Sequence, residues 1–333
     1  MNKRAEWIDN LKSFACILVV IGHLMQSFII SGIDTNVELS KKIIFVIYLI
    51  HMPLFLYSSG YLYFNYSNKQ NTKKFLVNKF INLFVPYITF YVLYMTFNTI
   101  FSDSVNSARG IAGWLGIINN PISPYWFLYS LFFIICFVVV FEKFIKNYKI
   151  GLIIFAIMKV VSIFWKCKLF FVYSIMSDGI YFYLGKKELP NIKRFVSYGC
   201  CILLIVLSIL LYTNLNILNN YAIDILSIML SCFFVVCFTC IFKNNNGNVV
   251  LNFIGKYSFY IFLIHTFFAA GIRVIFLKIG ITNYIIHFII GLLFSLFLPI
   301  IVGISSKKIG FTEIFFYPIQ TVNKYNNKKK EAK

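Results

Sequence analysis

Few ionisable side chains of this 333-residue chain fall inside its apolar stretches: His23, His51, Lys159, Asp178, Asp224, His265 and His287. Taking a charge or an imidazole out of water is costly, so each such group is a candidate for function. His23 has the most informative surroundings. Lys12 precedes it by eleven residues, which on an α-helix is three turns plus about 20° and a rise of roughly 16 Å. Both side chains therefore leave one face. Asp9 lies one turn before Lys12, and Gln26 one turn after His23, close to that face. A single helix thus carries a stripe of acid, base, imidazole and amide. Such a stripe suits proton transfer, because a neutral imidazole can take a proton from a weak nucleophile. The plainer alternative is an interfacial Asp9–Lys12 pair with a histidine satisfied by a neighbouring helix.

Two further histidines sit at comparable depth. His51 precedes Pro53, which frees a backbone carbonyl and favours a kink, in a segment that continues to Ser59-Gly60-Tyr61. Entering near Ile43, that segment carries His51 about 12 Å deep. His265 follows Ser258 and Tyr260 and lies about 14 Å from Lys256 by the same rise. Three imidazoles at one level could hold a metal, but no pair has the spacing of a helical metal motif, and no metal is expected. Asp178, followed by Gly179, reads as a helix break facing a cavity or as a structural hydrogen bond. Asp224 and His287 read as interfacial groups near helix ends, and Lys159 as a side chain that snorkels.

The elements that must position these residues are transmembrane helices. Apolar types make up 60% of the chain and charged types 13%, with a mean hydropathy of +0.80. Ordinary soluble domains carry about 25% charged residues, and a soluble fold of this size has no interior for so much apolar surface. Windows of roughly 20 apolar residues give about ten spans: 13–31, 43–64, 80–101, 125–142, 150–166, 168–185, 196–213, 221–242, 250–272 and 284–305. The first run is too long for a typical signal-peptide core and contains His23 and Gln26, so it reads as a retained helix.

The net charge of +20 does not point to nucleic acid, because the basic residues cluster in short loops between apolar runs. With the amino terminus inside, 23 of the 31 Lys and Arg fall in cytoplasmic segments, seven fall outside, and Lys159 lies within a span. That asymmetry obeys the positive-inside rule for an even count of helices with both termini cytoplasmic. The expected class is an all-α polytopic membrane protein, with a membrane domain over 1–310 and a basic cytoplasmic tail over 311–333. The tail from Lys324 onward is polar and basic, a composition expected to be disordered. The eight cysteines lie in or at the ends of apolar runs, and Cys237-Phe-Thr-Cys240 reads as core packing, not as a metal or redox pair.

The motifs together resemble the membrane acyltransferase family called acyltransferase 3. They are Arg4-x-x-Trp7-Ile8-Asp9-Asn-Leu-Lys12-Ser, the run ending in Gly22-His23, His51-Met-Pro-Leu-Phe with Ser59-Gly60, Pro86-Tyr87, Trp126-Phe127-Leu128, and Ser258 through Leu263-Ile264-His265. They follow the family's order along nearly the whole chain. The resemblance implies transfer of an acyl group, most often acetyl, from cytoplasmic acetyl-CoA as cosubstrate to a hydroxyl of a cell-surface polysaccharide or its lipid-linked sugar precursor. It implies a bacterial cytoplasmic membrane as the location. His23 would act as general base or briefly carry the acyl group, and Lys12 would position His23 or the CoA end, with Asp9 beside it. The family's pair of arginines after helix two is matched here by Lys79 and Asn82, so Lys73, Lys74 and Lys79, with Lys69, are the expected contacts for the CoA phosphates. His51, Ser59, Trp126, Ser258, Tyr260 and His265 are the expected lining of the substrate cavity. Lys12, Tyr260 and Ser258 are alternative donors to the oxyanion. Desolvation in such a cavity favours a neutral imidazole and excludes water that would hydrolyse the donor. A transporter or flippase of a lipid-linked glycan is the rival reading, since intramembrane histidines also suit proton coupling.

Overall fold

The computed structural model describes residues 6–67, 71–102, 106, 109–165, 167–189, 192–243 and 248–331, with only the backbone given over 327–331. Lys3, Arg4, Lys69 and Lys166 lie outside the described residues. Within them the chain is all helical, without a strand: α1 (Glu6–Ile30), α2 (Val37–Tyr66), α3 (Thr72–Ile100), α4 (Gly110–Asn119), α5 (Trp126–Phe144), α6 (Tyr148–Phe164), α7 (Phe170–Leu184), α8 (Arg194–Thr213), α9 (Asn220–Lys243), α10 (Val249–Lys278), α11 (Tyr284–Ile309) and α12 (Pro318–Glu331), with a 3-10 turn at Phe311–Phe315. Each of the ten expected spans coincides with a helix. Eight helices are long and apolar enough to cross a membrane, which makes the chain an integral membrane protein. The other two, α6 and α7, have 17 and 15 residues.

Nine of the ten helices overrun their apolar windows at one end or both, and α7 stops inside its own. The third span was expected to start at residue 80, yet α3 begins at Thr72. Backbone hydrogen bonding continues past the apolar edge, because helical geometry needs no apolar side chains. Asparagine starts many of these helices: Asn36, Asn71, Asn147 and Asn283 each accept a bond from an amide of the first turn. Those amides have no partner within the helix, and Asn at this position supplies one.

The chain divides into two compact units, Met1–Ser67 with Val138–Ser258, and Asn68–Phe137 with Phe259–Lys333. In the first, α2 is the hub, packed on α1, α7, α8 and α9. Leu54, Phe55, Leu56, Tyr57 and Ser58 are all buried; five consecutive residues sweep more than a full turn, so protein covers α2 on every side. At the α2–α7 crossing, a Cβ on Gly60 would come within 1.9 Å of the Phe182 carbonyl oxygen. Only glycine permits that approach, the small-residue packing that membrane helices use in place of a hydrophobic driving force.

In the second unit, Tyr87 and Tyr91 of α3 donate to the Ile117 and Gly113 carbonyls and hold α4. The segment over 102–124, which lies outside the ten expected spans, thus contains a helix. The tail differs from expectation. It is ordered into the 3-10 turn and α12, and the Ile319 amide donates to the Asn82 side chain at 3.4 Å. Phe316 packs on Phe90 and Tyr260, so aromatic residues upstream of the basic stretch anchor a segment whose composition alone reads as disordered.

Candidate active site

The stripe of Asp9, Lys12, His23 and Gln26 lies on one uninterrupted helix. α1 contains no proline, and its buried residues, among them Ile8, Leu11, Val19, Val20, Leu24 and Phe28, lie on several sides of the helix. Asp9, Lys12 and His23 are half-buried, and Gln26 is exposed. The polar stripe therefore runs among buried apolar neighbours such as Cys16 and Val19.

Phe14 packs on Phe238 and Phe242 of α9, and α10 and α2 both position α1. At its start, the Ser13 hydroxyl lies within hydrogen-bonding distance of both the Asp9 and the Leu251 carbonyls, and the Cys16 thiol donates to the Ser258 carbonyl at 3.7 Å. A Cβ on Gly255 would stand 2.6 Å from the Asp9 carbonyl oxygen, so the beginning of α10 runs against the turn that carries Asp9 and Lys12. Further along, α2 takes over. A Cβ on Gly22 would meet Ile47 at 3.3 Å and Tyr48 at 3.5 Å, and the Tyr48 hydroxyl donates to Gln26 Oε1 at 3.1 Å. His51 stands one turn beyond Ile47, its Nδ1 2.7 Å from the Ile47 carbonyl and its ring edge-on to Tyr48. With Nδ1–H so engaged, Nε2 is the nitrogen left to accept. The register of this helix pair puts His51 near the level of His23.

The structure thus gathers six expected site residues in the first unit: Asp9, Lys12, His23, His51, Ser59 and Ser258. Ser59 is half-buried on α2 beside the Gly60 crossing. Ser258 donates to the Gly255 carbonyl of its own helix at 2.9 Å, which engages its one proton.

The other six belong to the second unit. Lys73 and Lys74 are exposed in the first turn of α3, and Lys79 lies 5.5 Å over the Phe75 ring. Trp126 opens α5 and is half-buried. Tyr260 is fully buried against Phe316 and Tyr317, with the Lys307 ammonium 5.6 Å over its ring. His265 is fully buried, its Nδ1 2.8 Å from the Ile261 carbonyl.

The structure gives four further groups a definite setting. Asp178 lies within a continuous α7, not at a helix break, because Gly179 packs its bare face on the Phe155 ring instead of opening the backbone. Asp224 is not merely interfacial. With Lys159 and Asp178 it lines a cavity of about 260 Å³ in the first unit. Lys159 does not simply snorkel, since its ammonium lies 5.2 Å over the Tyr181 ring. His287 is 1% exposed and its Nε2 lies 2.8 Å from the Ile281 carbonyl, so it is buried at the start of α11 against the turn that precedes it. The cavity was missed, although a signal existed: Asp224, Ser227 and Ser231 recur at helical spacing along α9.

Comparison with known proteins bears on what this arrangement does. A family model described as an acyltransferase domain matches residues 5–304. The nodulation protein NolL of Sinorhizobium fredii is 30% identical over 130 residues, which are 39% of this chain and 34% of that protein. The chain thus spans about a third of the length of that curated relative. No solved structure matches.

Proposed function

This chain belongs to the acyltransferase family whose model it matches along nearly its whole length, and from that membership we propose that it is a membrane O-acetyltransferase. It moves an acetyl group from cytoplasmic acetyl-CoA to a hydroxyl of a cell-surface polysaccharide or its lipid-linked sugar precursor, in the bacterial cytoplasmic membrane, with both termini inside. The observation that carries the reading is the polar stripe of α1: Lys12 and His23 on one face of an unbroken helix, both half-buried.

In this reaction the His23 imidazole takes the proton of the acceptor hydroxyl as its oxygen attacks the thioester carbonyl. The carbon–sulfur bond breaks, the acetyl ester forms, and the proton passes to the departing CoA thiolate, so that an alcohol and acetyl-CoA become an acetyl ester and CoA. In the variant where His23 first carries the acetyl group, the same atoms balance over two steps. Charge developing on the carbonyl oxygen needs a donor. Ser258 already donates within its own helix, which leaves the Lys12 ammonium as the better-placed group of the first unit. Lys73, Lys74 and Lys79 supply positive charge for the CoA phosphates.

Membranes containing the protein, given labelled acetyl-CoA, test this directly. His23→Ala should lower label transfer into the envelope glycan fraction by about 10²- to 10⁴-fold, the usual contribution of a general base. Undiminished transfer in that variant would sink the proposal, and glycan translocation without any need for acetyl-CoA would favour a flippase.

A further inference from the structure

We propose that the cavity lined by α2, α6, α7 and α9 holds the polyhydroxylated head of the acceptor, one sugar ring in size. This deepens the acyl-transfer reading and rests on it.

The cavity lies wholly within the first unit and measures about 260 Å³. Pockets for drug-sized ligands run from about 300 to 1,000 Å³, so this one has room for a single compact head and not for a glycan chain. Its polar lining comprises Lys159, Asp178 and Asp224 with the hydroxyls of Ser162, Ser227 and Ser231. These residues repeat at helical spacing. Asp224, Ser227 and Ser231 share one face of α9, Lys159 and Ser162 one face of α6, and Asp178 and Tyr181 one face of α7. Three membrane helices therefore turn their polar faces to a common void, an expensive arrangement if the void served only packing.

Lys159 feels the charge of both carboxyl groups across the cavity without closing a direct ion pair on either. Among the described residues no ion pair within 4.0 Å joins Lys159 to either carboxylate; its ammonium sits over Tyr181 instead. Ionised carboxylates are acceptors only, each able to take two hydrogen bonds, which matches adjacent hydroxyls of a sugar. Bonds to a charged partner are roughly twice as strong as neutral ones. The ammonium and the serines supply donors for ring and hydroxyl oxygens, and Tyr48, Tyr173 and Tyr181 supply flat apolar walls. The lining holds one basic side chain, Lys159, and no cluster of positive charge for the CoA phosphates, which assigns the cavity to the acceptor.

Tyr48 ties this cavity to the chemistry. It lines the void, and its hydroxyl reaches Gln26, one turn beyond His23. A head group seated here extends a hydroxyl toward the His23 stripe.

The test uses the purified full chain in lipid nanodiscs with labelled acetyl-CoA and two acceptors. Octyl β-glucoside carries one sugar on an alkyl chain, and n-octanol carries one hydroxyl and no polyol. The measured quantity is the ratio of kcat/KM for octyl glucoside to that for octanol, which partial misfolding cannot change. Asp178→Asn and Asp224→Asn should each lower the ratio about tenfold, and Ser227→Ala a few-fold, as loss of charged and neutral hydrogen bonds predicts. A ratio unchanged in all three variants overturns the cavity assignment. If the wild-type protein labels neither alcohol, the acyl-transfer reading fails instead.

Discussion

The Tyr48 hydroxyl donates to Gln26 Oε1 at 3.1 Å, bonding α2 to α1 one turn beyond His23. The same ring meets His51 edge-on at 4.9 Å between centroids. One tyrosine therefore touches the His23 stripe, His51 and the polar cavity. Tyr48→Phe keeps the ring and removes only the bond. Its expected effect is a fall in kcat of about tenfold, because small misplacements of reacting groups are costly, with KM for acetyl-CoA unchanged. Steady-state kinetics with varied donor check this; a change confined to the donor KM would contradict it.

In the proposed mechanism Lys12 acts through its charge. Lys12→Ala should lower acyl transfer by about 10²-fold, in the range of lost electrostatic stabilisation of an oxyanion, and Lys12→Arg should recover part of it. Cys237→Ser should leave the rate at the wild-type value, since Cys237 is a buried free cysteine on α9. Initial rates in membranes with matched protein levels separate these three outcomes.

The backbone contact at Gly60 admits no side chain. Gly60→Ala drives a Cβ against the Phe182 carbonyl, and crowding of this kind costs about 1–3 kcal/mol or more. Gly199 provides the contrast, because a Cβ there meets nothing within 4 Å. Gly199→Ala should be neutral or should stabilise by up to about 1 kcal/mol through helix propensity. The melting point of the detergent-purified protein should therefore fall in Gly60→Ala and hold or rise in Gly199→Ala, and a wild-type melting point for Gly60→Ala would refute the packing argument.

Two ion pairs at helix ends differ in exposure. Lys243 bonds Glu188 at 2.8 Å, with 64% of the Glu188 side chain exposed, whereas Lys186 bonds Glu142 at 2.8 Å with the side chains 19% and 23% exposed. The Lys243 bond holds the Glu188 carboxyl below its ordinary 4.5. That stabilisation is present above the ordinary value and is lost as pH falls through the lowered one. Burial works to lower the Lys186 ammonium, but its bonds to Glu142 and Tyr183 outweigh burial and raise it. That contribution is complete below the ordinary lysine value and is lost as pH rises through the raised one. Glu188→Gln should cost about 0.2–1 kcal/mol at neutral pH, and Glu142→Gln more. Thermal melts at neutral pH rank the pair, and equal shifts would contradict the ranking.

Much of the architecture was readable along the chain, because a bilayer imposes its thickness on every span. Each apolar window became a helix, and the spacing of Lys12 and His23 became a stripe because α1 has nothing to break it. Boundaries were less legible, since helices extend past the apolar window wherever an asparagine cap allows. The α4 helix and the ordered tail were not legible, because their stability comes from distant partners: Tyr87 and Tyr91 for α4, and Phe90, Tyr260 and Asn82 for the segment beyond α11.

By itself the sequence determined the helical class, the approximate spans, the family and the face that joins Lys12 to His23. These follow from local periodicity and from transfer out of water, which act residue by residue. Only the tertiary structure decided that Lys159, Asp178 and Asp224, drawn from three different helices, line one cavity. It also decided that Ser258 is engaged with Gly255, and that Tyr48 links α2 to the stripe. Which faces meet depends on where glycines such as Gly60 and Gly255 let backbones approach, and no periodicity along a single helix encodes that choice of partner.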